Sequence, residues 1–181
     1  AYVRQRRAFS DRGYPSGGLR KPALVTGVGA LAAVTALGVW LRRARLEPVL
    51  VRGGSMRPTL EPGQRIAVAP LVRPPARGDL VVLSSGGREV VKRVVGLPGE
   101  RVRLRGGRLE VDGQAVPEPY LAEGSGAGEL DLRLGPAEYL VLGDHRAAST
   151  DGRDFGPVAA DALLARVAFA YWPPRRLRRR G

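Results

Sequence analysis

The fold class of this chain is predicted most directly by one segment, Asp79-Leu-Val-Val-Leu-Ser-Ser-Gly-Gly-Arg-Glu-Val-Val-Lys-Arg-Val-Val95. Two runs rich in Val and Leu flank the pair Gly86-Gly87, and such a pair between two runs is typical of a β-hairpin turn. From Glu47 onward the chain continues as short apolar runs cut by Gly and Pro, which is the pattern of an all-β body. We therefore predict a mainly β domain over residues 47–172.

The other strands are predicted from the same pattern, at residues 48–51, 65–69, 101–104, 108–111, 138–142 and 163–172. Residues 114–135 contain Pro117, Pro119 and a glycine-rich run, so we expect a small mobile, loop-like insertion there. Pro173-Pro174 ends the fold, and a basic C-terminal tail follows within residues 173–181.

The amino-terminal segment differs from this body. Residues 1–21 are rich in Arg, Gly, Ser and Pro and are predicted to be a disordered basic tail. Residues 22–41 carry no charge, and at about 1.5 Å per residue a helix of this length crosses a hydrocarbon core of roughly 30 Å. We predict one transmembrane helix, because a cleaved signal would be shorter and a buried soluble helix would show a polar face. The charges that flank it favour the amino terminus inside and the body outside.

Composition excludes several kinds of site. The 181 residues suit one domain plus an appendage. The chain has no cysteine and a single histidine, His145, so thiolate chemistry and a multi-histidine metal centre are excluded, and we expect no metal or cofactor. The net charge of +13 lies largely at the two ends and suits anionic membrane lipids. Nucleic acid is not expected as a partner, because the ten aromatic residues show no interleaved pattern.

Two residues are candidates for nucleophilic catalysis. Ser55 lies in Arg52-Gly-Gly-Ser-Met-Arg-Pro-Thr-Leu60, where Gly and Pro favour an exposed turn. Lys92 is the only lysine outside the amino-terminal tail of a chain with 28 arginines. Lysine, unlike arginine, can lose its proton, and the neighbours Val90 and Val94 on the same strand face would lower its pKa. A Ser/Lys pair for acyl transfer is thus plausible, while a turn serine and a solvated lysine remain the alternative.

Four segments, taken in order, resemble the boxes of the type I signal peptidases. They are Gly53-Gly-Ser-Met-Arg-Pro-Thr-Leu60, Gly78-Asp-Leu-Val-Val82, Val91-Lys-Arg-Val-Val-Gly-Leu-Pro-Gly-Glu100 and Leu142-Gly-Asp-His-Arg-Ala-Ala-Ser-Thr-Asp-Gly-Arg-Asp-Phe-Gly-Pro157. The resemblance extends from Glu47 to Trp172, and the predicted span stands where that family has its anchor. It implies an antiparallel-sheet catalytic body of the signal peptidase and LexA-like type.

The resemblance also implies roles. Ser55 would be the nucleophile, Lys92 the general base and Ser149 the group that orients the base. The Ser55 backbone N–H would donate to the oxyanion, while Gly53 stands where some relatives have a serine that adds a second donor. Residues that would line the substrate pocket are Met56, Leu60 and Val91. Residues that would brace the site structurally are Asp144, Arg146, Asp151 and Arg153. His145 and Gly152 depart from the residues that many relatives have at these positions.

The function implied by the resemblance is that of a membrane-bound serine endopeptidase. It would remove signal peptides from secretory precursor proteins after a small residue, at a site of the Ala-X-Ala type. Its body would lie on the outer face of the cytoplasmic membrane.

Three alternatives are open on the sequence alone. His145 beside Asp144 could form a Ser-His-Asp triad with Ser55, although adjacent residues of an extended segment point to opposite faces. A LexA-like self-processing peptidase would use the same Ser/Lys chemistry but carry a DNA-binding segment. A non-catalytic, membrane-anchored β domain would use its basic ends to bind lipid or a partner.

Overall fold

The computed structural model describes residues 46–121 and 128–173. The strands of this part are numbered in chain order: β1 Glu47–Leu50, β2 Arg65–Pro70, β3 Leu80–Ser85, β4 Arg88–Gly96, β5 Arg101–Arg105, β6 Arg108–Val111, β7 Gln114–Ala115, β8 Leu130–Arg133, β9 Glu138–Leu142, β10 Val158–Ala159 and β11 Leu163–Trp172. One short helix, α1 at Gly152–Phe155, and two 3₁₀ turns, at Arg146–Ala148 and Ala160–Ala162, complete the described elements.

The strands form two sheets. The larger sheet has seven strands in the order β1-β2-β11-β3-β4-β9-β10, and the smaller has four in the order β7-β6-β5-β8. The strand pairs of both sheets are antiparallel. The prediction of a mainly β, antiparallel-sheet body is therefore confirmed.

The predicted hairpin is present as β3 and β4. Ser85 pairs with Arg88, which leaves Gly86 and Gly87 as a two-residue turn. Both glycines have positive φ, 57° and 73°, as the tight turn between twisted antiparallel strands requires. The turn thus fixes the pairing of Lys92 with Val81 across the hairpin.

Strand β4 lies inside the larger sheet, between β3 and β9. Its residues from Val91 to Gly96 are all buried, and Lys92 and Arg93 stand in the middle of this run. Burying two cations on consecutive residues is costly unless each finds a polar partner. Their partners therefore determine what this part of the fold can do.

One apolar cluster joins the two sheets. The larger sheet contributes Val95, Leu140 and Leu142, and the smaller contributes Val102, Leu104, Leu109 and Val111. These side chains come from alternate positions of their strands and so point to one face. The smaller sheet is therefore packed on the larger one through a shared core.

The structure corrects one prediction and leaves others outside its range. Residues 114–135 are not loop throughout, because Gln114–Ala115 pairs with β6 and Leu130–Arg133 pairs with β5. Both strands are short edge strands, so their alternation is too brief to distinguish from a loop in the sequence. The predicted span, the amino-terminal tail and all but the first residue of the C-terminal tail fall on residues 1–45 and 174–181, which are not described. Residues 122–127 are not described either. Within the residues that are described, no helix is long and apolar enough to cross a membrane.

Candidate active site

The Ser55 loop follows β1 and is anchored by its own apolar side chains. Met56 and Leu60 are buried in a core cluster with Val91 of β4, and the Leu60 N–H donates to the Met56 carbonyl at 2.9 Å. Ser55 is itself only 8% exposed, and its carbonyl oxygen accepts a hydrogen bond of 3.0 Å from the backbone N–H of His145. The loop is thus fixed to the segment that follows β9.

Lys92 is the second residue of the predicted pair, and it is 3% exposed. Its Nζ donates a hydrogen bond of 2.7 Å to Oγ of Ser149. Burial lowers the pKa of the Lys92 amine from its usual value, and Arg153 acts in the same direction, while Asp151 and Asp154 oppose both. The amine therefore has a neutral hydroxyl as its hydrogen-bond partner and a reduced tendency to hold a charge.

Gly143 lies where Ser55 and Ser149 come together. A Cβ at this position would lie 2.1 Å from Oγ of Ser149 and 2.6 Å from the carbonyl oxygen of Ser55. Only glycine allows so close an approach. Since Lys92 contacts the same Ser149 hydroxyl, the structure brings Ser55, Lys92 and Ser149 into one neighbourhood.

Asp151 and Arg153 hold the Ser149 segment in place. The Asp151 carboxylate accepts hydrogen bonds from the Gly143 N–H at 2.8 Å and from Nε of Arg153 at 2.9 Å. Arg153 also donates to the carbonyl oxygens of Arg146 and Ser149. Burial would raise the pKa of Asp151, but hydrogen bonds from Arg153, Gly143 and Ser149 hold it below its usual value. The bracing role of Asp151 and Arg153 stays a prediction.

Asp144 and Arg146 are also buried, but their partners come from elsewhere in the chain. Arg93 donates to both carboxylate oxygens of Asp144, at 2.8 and 2.6 Å, and the Thr59 hydroxyl donates to one of them. Arg146 forms its ion pair with Glu118. Arg93, Thr59 and Glu118 belong to this site without having been predicted from the sequence. Arg93 could have been found from the sequence, since an arginine inside an apolar strand predicts a buried acidic partner.

The proposed triad finds no support in this geometry. Both oxygens of Asp144 are engaged by Arg93 and Thr59, whereas a triad requires the carboxylate to orient the histidine ring. The contact that His145 makes with Ser55 runs from backbone to backbone.

The three residues expected to line a substrate pocket, Met56, Leu60 and Val91, lie in a single core cluster and are buried. Met56 and Leu60 belong to the Ser55 loop and Val91 packs against them, and the role of all three in a pocket stays a prediction. Within residues 46–121 and 128–173, no three His, Cys, Asp or Glu side chains are grouped so as to hold a metal ion.

The chain is similar in sequence to known proteins. The family described as "Signal peptidase, peptidase S26" matches residues 24–172. Signal peptidase I of Bacillus caldolyticus is 38% identical over 142 residues, which cover 68% of this chain and 78% of the relative. Signal peptidase I of Bacillus licheniformis is 33% identical over 176 residues, covering 88% and 95% respectively.

Among solved structures, the crystal structure of a signal peptidase I from Enterococcus faecalis V583 aligns with a TM-score of 0.48 and 28% identity, over 52% of this chain and 97% of that one. The family match covers most of the chain, and the two Bacillus relatives are aligned over more than three quarters of their own lengths. The resemblance seen in the four sequence segments is thereby confirmed, and this chain belongs to the signal peptidase family, peptidase S26.

Proposed function

We propose that the chain is a serine endopeptidase that removes amino-terminal signal peptides with Ser55 as nucleophile and Lys92 as general base. The observation that carries this proposal is the environment of Lys92: a buried amine whose pKa is lowered and whose hydrogen-bond partner is the Ser149 hydroxyl. A neutral amine can accept a proton from serine, which an ammonium cannot.

In the proposed reaction the Lys92 amine takes and returns one proton in each of two half-reactions. Ser55 Oγ attacks the scissile carbonyl while its proton passes to Lys92 Nζ, and the tetrahedral intermediate expels the new amino terminus, which takes that proton. Water then attacks the acyl-enzyme while its proton passes to Lys92 Nζ, and the second tetrahedral intermediate expels Ser55 Oγ, which takes that proton back and leaves the signal peptide with a free carboxyl group. Ser149 would accept one N–H of Lys92 and so direct the lone pair of the amine. The Ser55 backbone N–H would stabilise the oxyanion, with a second donor from the Gly53 region or from water.

The substrate in this proposal is a secretory precursor that carries a small residue before the cleaved bond, as in an Ala-X-Ala site. Met56, Leu60 and Val91 would bound shallow pockets that admit small side chains. The apolar residues 22–41 would anchor the enzyme in the cytoplasmic membrane, with the body on the extracytoplasmic side and anionic lipids as neighbours. Family membership supports the substrate class.

The test is cleavage of a precursor by the purified full chain in detergent. We expect a single product that begins after the Ala-X-Ala site, identified by mass spectrometry, and a loss of at least about 10³-fold in rate for Ser55→Ala. Thr150→Ala is the matched control, since it also removes one hydroxyl from the body. Uncut precursor with the folded wild-type protein would favour the non-catalytic module. Equal rates for wild type and Ser55→Ala would exclude Ser55 as nucleophile.

A further inference from the structure

The segment Val116–Leu121, which we call the strap, joins the smaller sheet to the candidate active site. It begins on that sheet, where the Val116 N–H donates to the Leu109 carbonyl at 2.9 Å. It ends in a turn, in which the Leu121 N–H donates to the Glu118 carbonyl at 3.1 Å. The side chains of Glu118 and Tyr120 leave this turn toward two arginines, Arg146 in the 3₁₀ turn after β9 and Arg93 on β4.

Glu118 is the acidic partner of Arg146. The side chains of Arg146 and Glu118 are 0% and 6% exposed, so the pair is desolvated. The same carboxylate oxygen also accepts a hydrogen bond from the Tyr120 hydroxyl. Burial, together with this bond to Glu118, raises the pKa of Tyr120, so the phenol keeps its proton throughout the neutral range. Glu118 is thus held from two sides.

Tyr120 is in addition the aromatic partner of Arg93. The Arg93 guanidinium carbon lies 3.8 Å from the centroid of the Tyr120 ring, within the range of a cation–π contact. Arg93 directly follows Lys92 on β4, and its guanidinium is the group that holds Asp144. The ring therefore packs on the side chain that directly follows the proposed base along the strand.

Arg146 links Glu118 to Gly143 at the centre of the site. Its Nε donates to the Gly143 carbonyl at 3.1 Å, and Gly143 is the residue where an added Cβ would meet both Ser149 Oγ and the Ser55 carbonyl oxygen. Nη1 of Arg146 has no hydrogen-bond partner among the described residues. The orientation of the guanidinium therefore depends on its bonds to Gly143 and Glu118.

We propose that Glu118 and Tyr120 are positioning residues of the reaction. Glu118 holds Arg146, which binds Gly143 where Ser55 and Ser149 meet. Tyr120 holds Arg93, which directly follows the proposed base Lys92. This inference rests on the proposed function. Neither residue is among those proposed to touch substrate, so the strap would affect turnover only through the side chains that it holds.

The first test separates the ring of Tyr120 from its hydroxyl. We expect Tyr120→Leu to lower kcat by roughly tenfold to a hundredfold with KM within about twofold, because small misplacements of reacting groups cost that much. Tyr120→Phe keeps the ring against Arg93 and should lose less. Tyr171→Phe, on the exposed end of β11, is the control for removing a tyrosine hydroxyl. Unchanged kcat in Tyr120→Leu would overturn the role of the ring.

The second test separates positioning from stability. Glu118→Gln leaves the buried Arg146 charge uncompensated and should lower both Tm and kcat. Adding Arg146→Met removes that charge, so Tm should recover, whereas kcat should stay low because the bond to Gly143 is lost as well. Asp131→Asn, which removes an exposed acidic partner of Arg101 on the smaller sheet, should leave kcat unchanged.

Recovery of kcat together with Tm in the double variant would show a merely structural role for Glu118. The wild-type protein distinguishes the two levels of the argument. If it cleaves the precursor while the Glu118 and Tyr120 variants retain its kcat, only the inference on the strap fails. If folded wild-type protein does not cleave, the proposed function itself is wrong.

Discussion

Lys92 and Arg93 are consecutive residues of one buried strand, and the protein treats their charges in opposite ways. Arg93 is paired with the Asp144 carboxylate and covered by an aromatic ring. Lys92 is instead given a neutral hydroxyl, and burial lowers the pKa of its amine. Arginine does not deprotonate in a protein, so only the lysine can become a base in such surroundings. The choice of cation at each position is therefore a chemical one.

This contrast predicts the outcome of exchanging the cation at position 92. Lys92→Arg retains a positive charge but removes the group that can lose a proton. We expect the cleavage rate to fall by about 10²- to 10⁴-fold, the usual contribution of a general base. Initial rates on the precursor measure the effect, and circular dichroism checks that the fold is intact. Wild-type activity in this variant would exclude Lys92 as the base.

The lowered pKa of Lys92 also predicts the pH dependence of cleavage. In the proposed mechanism the active form is the neutral amine, so kcat/KM should fall as pH falls through the pKa of Lys92 in the folded enzyme. That midpoint should lie below the ordinary value of 10.5, since burial outweighs the nearby acids Asp151 and Asp154. A rate profile over pH, with Tm recorded at each point, locates the midpoint. An acid limb centred at 10.5 or higher would contradict a desolvated base.

The same shift has a consequence for stability. The unfolded chain binds a proton at this lysine up to its ordinary pKa, whereas the folded chain releases it at lower pH. The contribution of Lys92 to the free energy of unfolding therefore rises with pH between the folded value and 10.5. The charged amine is thus a cost to the fold at low pH, as expected of a residue retained for chemistry.

At the scale of single elements, the sequence predicts what is local. The β3–β4 hairpin follows from Gly86-Gly87, because two positive φ angles are needed at those two residues alone. The shared strand face of Val90, Lys92 and Val94 follows from the alternation of side chains along β4. The place of β11 between β2 and β3 does not follow, since it depends on pairing Ala165 and Arg166 with residues far away in the sequence.

The site shows the same division between local and distant signals. The resemblance of the four sequence segments predicts Ser55, Lys92 and Ser149 as site residues, because each lies in a recognisable run. Glu118 and Tyr120 lie beside prolines in a segment predicted as loop, and their partners are 28 and 27 residues away. Contacts that join a strap to a buried arginine have no periodic pattern in sequence. They become visible only when the two sheets are packed together.

The turn after β9 yields a prediction that depends on space alone. In Gly143→Ala the new methyl group would meet Ser149 Oγ and the Ser55 carbonyl at distances that no carbon tolerates, so one of the two must move. We expect at least a roughly hundredfold loss of kcat. Gly135→Ala, before the same strand, meets only the flexible Glu138 side chain and is the matched control. Equal activity of the two variants would show that the spacing at Gly143 is not critical.

At the scale of the described body, the shared apolar cluster predicts that the two sheets unfold as one cooperative unit. Leu104 of the smaller sheet is fully buried among residues that include Leu140 and Leu142 of the larger sheet. Loss of packing at Leu104 should therefore weaken the larger sheet as well, and with it the strand that carries Lys92.

Leu104→Ala tests this coupling. Truncating a buried leucine costs about 2–5 kcal/mol of unfolding free energy, and a cooperative body should lose that amount everywhere. Hydrogen exchange of the slowest amides should thus accelerate by a similar factor in β3, on the larger sheet, and in β6, on the smaller one. Leu164→Ala removes the same atoms from a half-exposed position on β11 and should change exchange much less. Acceleration confined to β5 and β6 would instead mean that the smaller sheet opens by itself, and the strap could then detach without unfolding the site.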